Sequence, residues 1–312
     1  MKRAALFLLL TLLALPLIAK ISVTRNFATE ESLIGDFEKK LVSRLSPLTE
    51  EGETVTFLSW ESPMLTLSLF GEEKKVPLSA DTLDQAVNSL LCYNPHFLSE
   101  AEERLDWIYE RSLSSAALLD RGALYEALSP SGRPVGLLAA DRVSDDVTEL
   151  NLIRGSSLVP GLELRKTSPW LFTISAGMVF TPSFRVSADA AVSNLSLLYP
   201  LRPELKIKLA KDAVGNTAYL FSLGVGYHFP LSVLFGRDVP VLSDSMLGAD
   251  CFVTLGQAGT FVYGAGYEIS LSYLMSGHFG FIFGLEALKV RNDRFSYFSI
   301  DTMELKAGVM IR

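Results

Sequence analysis

The second half of the chain alternates. From Pro169 onward, Phe172, Ile174, Ala176, Met178 and Phe180 alternate with Thr173, Ser175, Gly177 and Val179, and a turn at Thr181 and Pro182 follows. Phe184, Val186, Ala188, Ala190 and Val192 then stand against Arg185, Ser187, Asp189, Ala191 and Ser193. A shorter tract sets Leu205, Ile207 and Leu209 against Lys206 and Lys208; the next sets Tyr219, Phe221, Leu223, Val225, Tyr227 and Phe229 against Leu220, Ser222, Gly224, Gly226 and His228. Leu247, Ala249, Cys251, Val253 and Leu255 oppose Asp250 and Thr254. The clearest tract sets Phe261, Tyr263, Ala265, Tyr267, Ile269, Leu271 and Tyr273 against Thr260, Gly264, Gly266, Glu268, Ser270 and Ser272. Phe279, Phe281, Phe283, Leu285 and Ala287 oppose Gly280, Gly284 and Glu286, and Met303, Leu305, Ala307, Val309 and Ile311 close the chain against Thr302, Glu304, Lys306 and Gly308. Period-two alternation at this length predicts about eight antiparallel strands, each with one apolar face.

Alternation alone does not say which face meets which medium, but residue size does. The apolar set is crowded with Phe and Tyr, whereas the other set is mostly Gly, Ser, Ala and Thr. An eight-stranded barrel has a bore only just wide enough for side chains, so the small set is expected inside. Rings facing water would each forgo roughly 1.5–3 kcal/mol of burial. Hydrocarbon suits them, so Phe172, Phe221, Tyr227, Phe261, Tyr263, Tyr267, Phe279, Phe281 and Phe283 are predicted to face lipid. Rings near strand ends, Trp170, Tyr219, Tyr227 and Tyr273, are candidates for interfacial belts. Lipid offers no partner to an open strand edge, which demands a closed barrel.

Residues 20–167 read differently, as a mixed α+β domain. Leu33, Ile34, Phe37, Leu41 and Leu45 share one helical face within Thr29 to Leu45. Glu53 to Trp60 and Met64 to Phe70 read as strands around a turn at Glu61, Ser62 and Pro63, with a third near Val76. Asp81 to Cys92 and Ser99 to Ser112 read as helices begun by a capping Asp and a capping Ser. Val135 to Val143, Val147 to Ile153 and Leu162 to Arg165 follow as strands; with the Val159-Pro160-Gly161 turn they resemble small SH3-like modules of exported envelope proteins. Ahead of this domain, residues 1–19 carry Lys2 and Arg3, an apolar stretch from Ala4 to Leu15, and small Ala19. That is the pattern of a secretory signal peptide, with an uncleaved anchor helix as the alternative.

The 49% hydrophobic content and mean hydropathy of +0.29 are high, yet past the leader no apolar run reaches the roughly 18 residues of a membrane helix. Dispersed apolarity fits strands. The net charge of −7 argues against a nucleic-acid partner. Cys92 and Cys251 fall in different halves and are predicted to stay unpaired.

Charged residues on the small-residue face divide by strand. Arg185, Lys206 and Lys208 lie on the second and third, and Asp250, Glu268, Glu286 and Glu304 on the fifth to eighth, with Asp189 and Lys306 as local counter-charges. A buried charge is tolerable only when paired, so an internal ion-pair network closing the lumen is expected, against a partly hydrated interior as the alternative. About 145 residues with this pattern resemble the small outer-membrane barrels of the OmpA, OmpX and OmpW kind. The resemblance implies an outer-membrane location, lipid and the barrel-insertion machinery as partners, and envelope or surface-interaction roles. The chain departs from that family in ending Met310, Ile311, Arg312 rather than on an aromatic residue. Its longer links, Ser193 to Pro203 and Pro230 to Ser245, also fall on the side expected to be periplasmic, so a strand could be miscounted near Ser232 to Phe235.

His96, His228 and His278 are too scattered for a metal motif, and the paired glycines lack the setting of a dinucleotide loop. No cofactor or metal is implied. Glu268, Ser270, His228 and His278 could share the inner face, which keeps a lumenal hydrolase as an alternative. The reading is therefore a leader over 1–19, a periplasmic α+β domain over 20–167 with an unknown partner, and an all-β antiparallel transmembrane barrel over 168–312. Its expected role is non-enzymatic anchoring of that domain, with a narrow conduit for small apolar ligands as a further alternative.

Overall fold

The computed structural model describes residues 21–28, 32–49, 53–92, 94–109, 112–144, 147–155, 158–179, 184–212, 215–231, 244–274, 278–291 and 303–312. The leader expected over 1–19, the turn at Thr181 and Pro182, and the Ser232 to Phe235 stretch lie outside them.

Strand β1 (Ser22–Arg25) leads through helix α1 (Ser32–Leu45) to β2 (Thr54–Glu61), which lies parallel to it. Strands β3 (Met64–Leu69) and β4 (Glu72–Pro77) complete a four-stranded sheet in the order β1-β2-β3-β4. Helix α1 buries Ile34, Phe37, Leu41 and Leu45. That spacing of three and four is the stripe expected from the sequence, and each such side chain is worth roughly 1.5–3 kcal/mol when fully buried. Helix α2 (Leu83–Leu91) occupies the predicted second position, but its N-cap is Thr82 rather than Asp81, and the Thr82 side chain makes no cap bond.

The helix expected over Ser99 to Ser112 does not form. Strands β5 (Trp107–Tyr109) and β6 (Ser112–Ser115) occupy its end, and the stretch before them is bonded to a neighbouring segment. Ser99 N donates to the Gly161 carbonyl at 2.8 Å, Leu105 N to Leu162 at 2.8 Å, and Leu164 N to Glu103 at 2.8 Å. The Ser99 hydroxyl accepts from Ala101 N at 3.1 Å, a local turn instead of a helix cap. Tertiary pairing outweighs a modest helical propensity here.

Strands β7 (Leu124–Leu128), β8 (Pro134–Val143), β9 (Thr148–Arg154) and β10 (Glu163–Thr167) join β5 and β6 in a sheet ordered β10-β7-β8-β9-β6-β5. Both of its faces are apolar. Tyr125, Ala127, Leu138 and Ala140 belong to the domain core with the helices, whereas Leu124, Leu137, Ala139 and Ile153 turn the other way. A strand covered on both sides loses its alternation: all five residues of β7 are buried, Glu126 among them.

Beyond it runs the barrel: β11 (Trp170–Val179), β12 (Arg185–Asn194), β13 (Leu201–Asp212), β14 (Thr217–Pro230), β15 (Ser245–Ala258), β16 (Thr260–Leu274), β17 (Phe279–Arg291) and β18 (Glu304–Ile311). Each pairs antiparallel with the next, and β18 returns to β11 with Phe172 opposite Ile311 and Met178 opposite Leu305, closing the ring. The ring closes with eight strands, all within the described residues. The third strand is longer than the alternation indicates: β13 begins at Leu201, and Arg202 and Pro203 pair only with β14, beyond the last β12 pair at Ser193 and Glu204. At a position with one neighbour Pro203 costs the sheet little.

The link 195–200 after β12, the end of β14, and the starts of β11 and β15 lie at the barrel end facing the domain. At the far end β15 turns directly into β16 through Gly259, whose φ of +73° only glycine adopts freely. Cys251 faces outward and Cys92 lies in the domain; both are free.

Candidate functional site

The barrel interior is layered. In its middle, acidic residues form a row across adjacent strands: Asp250 on β15 lies opposite Glu268 on β16, Glu268 opposite Glu286 on β17, and Glu286 opposite Glu304 on β18. Like charges side by side on a sheet repel. Lys206 and Lys208 on β13, with Lys306 on β18, hold the row together. Lys206 Nζ donates to Glu268 at 2.7 Å and to Glu286 at 3.2 Å; Lys306 Nζ donates to Glu268 at 2.9 Å and Glu286 at 3.1 Å. Lys208 donates to Glu286 and, at 2.9 Å, to Glu304, which also accepts from the Ser187 hydroxyl. Asp189 pairs with Lys306 at 2.7 Å. An ammonium has three donors and no acceptor, which suits a cation shared among carboxylates. Glu286, 1% exposed, is the common acceptor of all three lysines.

Two further members escape the alternation argument: Arg202 lies 3.6 Å from Glu204 and 3.9 Å from Asp250, and Glu204 lies 3.5 Å from Lys206. Their signal was present in the sequence, hidden by Pro203, which breaks the apparent tract. His228, on the inward face of its own tract, joins the layer with Nε2 2.8 Å from Asp250. Arg185 stands elsewhere: it opens β12 at the far rim, half-buried, roughly 13 Å along the strand from Asp189. Glycine makes room at the pinch points. A Cβ at Gly226 would strike both the Asp250 carboxylate and the His228 ring.

The expectation of a bore lined by small residues alone is corrected above and below this layer. Toward the far end Leu220, Phe252, Val262, Leu288 and Val290 fill the interior. The Phe252 ring points inward with Lys206 Nζ 4.5 Å from its centroid, a cation–π contact that lets one aromatic side chain enter a charged bore. At the other end Leu171, Leu195, Met246, Leu274, Ile282 and Met310 pack against Leu124, Leu137, Ala139 and Ile153 of the domain sheet. The domain stoppers the barrel.

Polar bonds surround that contact. Glu126 on β7 is bonded by Arg165 at 3.1 Å and by Arg312, which also donates to Thr167 at 2.9 Å. Arg154 pairs with Asp244 at 3.1 Å, and the Ser196 hydroxyl donates to the Gly122 carbonyl at 2.7 Å. The Tyr199 hydroxyl donates to the Leu152 carbonyl at 3.0 Å, and burial pushes its pKa up to about 12. Burial alone would raise the Glu126 acid, but its bonds from Arg165 and Arg312 outweigh that and hold it below the ordinary carboxylate range. Such a group contributes stability above its unfolded pKa and loses it as the pH falls through the native one. Acidification below about pH 4 is therefore expected to loosen the domain from the barrel end. Hydrogen exchange in β7 and β10 at low and neutral pH measures this, and Glu126→Gln should remove much of the difference. An identical pH response in the variant would contradict it.

His278 stands apart from the other residues of the hydrolase set, and no hydrogen bond joins Ser270 to His228 among the described residues. His278 is exposed near the chain end, where its carbonyl accepts from Arg312 N at 2.9 Å. His228 turns Nε2 to Asp250, and the Ser270 hydroxyl has no hydrogen-bond partner among the described residues. Ser270 and Arg202 line a residual cavity of about 10 Å³, the room of about one water and too little for an acyl substrate. Among the described residues no cluster with metal-ligand chemistry occurs.

On the outside, Phe172, Phe221, Tyr227, Phe261, Tyr263, Tyr267, Phe281 and Phe283 are exposed, and Phe279 is half-buried with its ring edge-on to Phe281 at 5.3 Å.

No protein-family profile and no curated protein matches the sequence. Among solved structures the chain is similar to the crystal structure of Neisserial surface protein A, at 16% identity and a TM-score of 0.34, over 46% of this chain and 97% of that one. It is also similar to two de novo designed transmembrane β-barrels. One match has 9% identity and a TM-score of 0.33 over 47% of this chain and 97% of that one; the other has 14% identity and a TM-score of 0.27 over 46% and 94%. The resemblance to small outer-membrane barrels is one of fold, carried by the closed eight-stranded antiparallel ring.

Proposed function

We propose that the protein is a non-conducting, non-enzymatic anchor in a bacterial outer membrane, whose barrel fixes the domain of residues 20–167 at the periplasmic face for a partner of that domain. The observation that carries this reading is the filled bore: a cross-linked charged layer lies between two apolar layers, one of them completed by the domain. Outside, exposed Ile174, Ile207, Leu223, Val253, Ile269 and Leu305 continue the apolar wall around the ring, a surface suited to acyl chains. An even strand count returns the chain to the side from which it entered, which puts the start of β11 and the end of β18 together beside the domain. The barrel-insertion machinery and lipid are the partners such a barrel needs.

Single-channel recording on the full chain in planar bilayers tests the reading. We expect no steady conductance, because ions would have to part lysine–glutamate contacts and pass two apolar plugs. Regular conductance steps in the wild type would overturn it. Outer-membrane fractionation, with a gel mobility that changes on boiling, checks the location independently.

A further inference from the structure

Where the domain sheet meets the barrel rim, a cleft of about 450 Å³ opens between Gly122, Ala139 and Ala140 on one side and the link 196–199 on the other. Five polar side chains line it; Ser196 and Tyr199 are bonded to the domain backbone, which leaves Arg121, Asp141 and Asn151. The backbone sets the two charges side by side, since Gly122 N donates to the Ala140 carbonyl at 2.8 Å. They are nevertheless not paired with each other, and none of the three side chains has a hydrogen bond or ion pair among the described residues. That contrasts with the rest of this junction, where Glu126, Arg154, Ser196 and Tyr199 are all bonded. At the cleft's mouth Leu197 and Leu198 are 62% and 54% exposed, and Leu198 bridges Leu201 at the start of β13. The mouth therefore opens onto the barrel wall.

We propose that this cleft binds a glycerophospholipid with a zwitterionic, primary-amine headgroup. Its phosphate meets Arg121, its ammonium meets Asp141 with Asn151 accepting or donating beside them, and its chains run over Leu197 and Leu198 along the wall. A phosphate and an ammonium two carbons apart match a cation and a carboxylate held on adjacent backbone positions. A headgroup without the ammonium would leave Asp141 beside the phosphate with no cation between them, and a free phosphate would leave the leucines in water. The inference rests on the membrane-embedded reading above.

The test uses the full chain in detergent, with lipid retention followed by native mass spectrometry for phosphatidylethanolamine and phosphatidylglycerol of identical chains. The wild type should retain the ethanolamine lipid about tenfold better. Arg121→Ala should weaken retention of both by about tenfold, and Asp141→Asn should abolish the preference by raising retention of the glycerol lipid. Glycerophosphoethanolamine, which lacks chains, should not compete at equal concentration. Equal retention of both lipids by the wild type, or variants that behave as the wild type, would overturn the site. Both altered residues are exposed, and the boiling-dependent gel shift verifies folding of each variant. Failure of the wild type to insert into vesicles would overturn the membrane reading and this site together, whereas insertion with unselective retention overturns the site alone.

Discussion

Glu286→Ala is expected to destabilise the barrel by about 3–5 kcal/mol, the cost of leaving buried charges without their partner. Lys206, Lys208 and Lys306 all reach this one carboxylate, and Glu268, Glu304 and Asp189 are already engaged with the same lysines. Glu286→Gln should cost less, because the amide oxygen still accepts a hydrogen bond although the charge is gone. Urea unfolding of the full chain folded into vesicles measures the loss as a shift in midpoint at unchanged slope. A hydrated bore would screen the lysines and shrink the effect to the few tenths of a kcal/mol typical of surface sites. A loss under about 1 kcal/mol would therefore refute a dry, cross-linked lumen.

The second large effect concerns the outer wall. Val253 lies in the middle of β15, 61% exposed, between Leu223 on β14 and Ala265 on β16. Val253→Arg is expected to cost about 2–4 kcal/mol if this belt sits at the bilayer midplane. Gln257→Arg, on the same face near the hairpin at Gly259, should cost no more than about 1 kcal/mol. The depth dependence is the diagnostic. Equal small costs at both positions, near ±0.5 kcal/mol, would mean that water and not hydrocarbon covers the wall.

Much of the barrel is legible in the sequence because one medium covers one face. When every second residue meets the same surroundings, period two survives in the letters, as from Phe261 to Tyr273 on β16. Opposed charges are legible for the same reason: Lys206, Lys208, Glu268, Glu286 and Glu304 keep strict parity, so their strands bring them to one bore. What escapes is whatever has mixed surroundings along its length. Arg202 and Glu204 sit on either side of Pro203 and look like loop. Phe252 looks like a wall residue, yet parity and the lysine beside it place it inside. Residues 99–112 have helical letters, but backbone groups of Ser99, Glu103 and Leu105 are taken by residues 161–164, distant in the chain. Strand β7 shows no period because it is buried on both faces. The end-to-end contact of Arg312 with Glu126 joins residues too far apart for any local pattern to announce.

The seat of the domain has a consequence for assembly. Its apolar floor is contributed by β11, β15, β16, β17 and β18 together, through Leu171, Met246, Leu274, Ile282 and Met310, so no subset of hairpins presents it. Only a cylinder whose last strand has found its first offers the whole ring of contacts. Docking is thereby conditional on closure of the ring: until the seam is sewn, the domain sheet has only part of its seat.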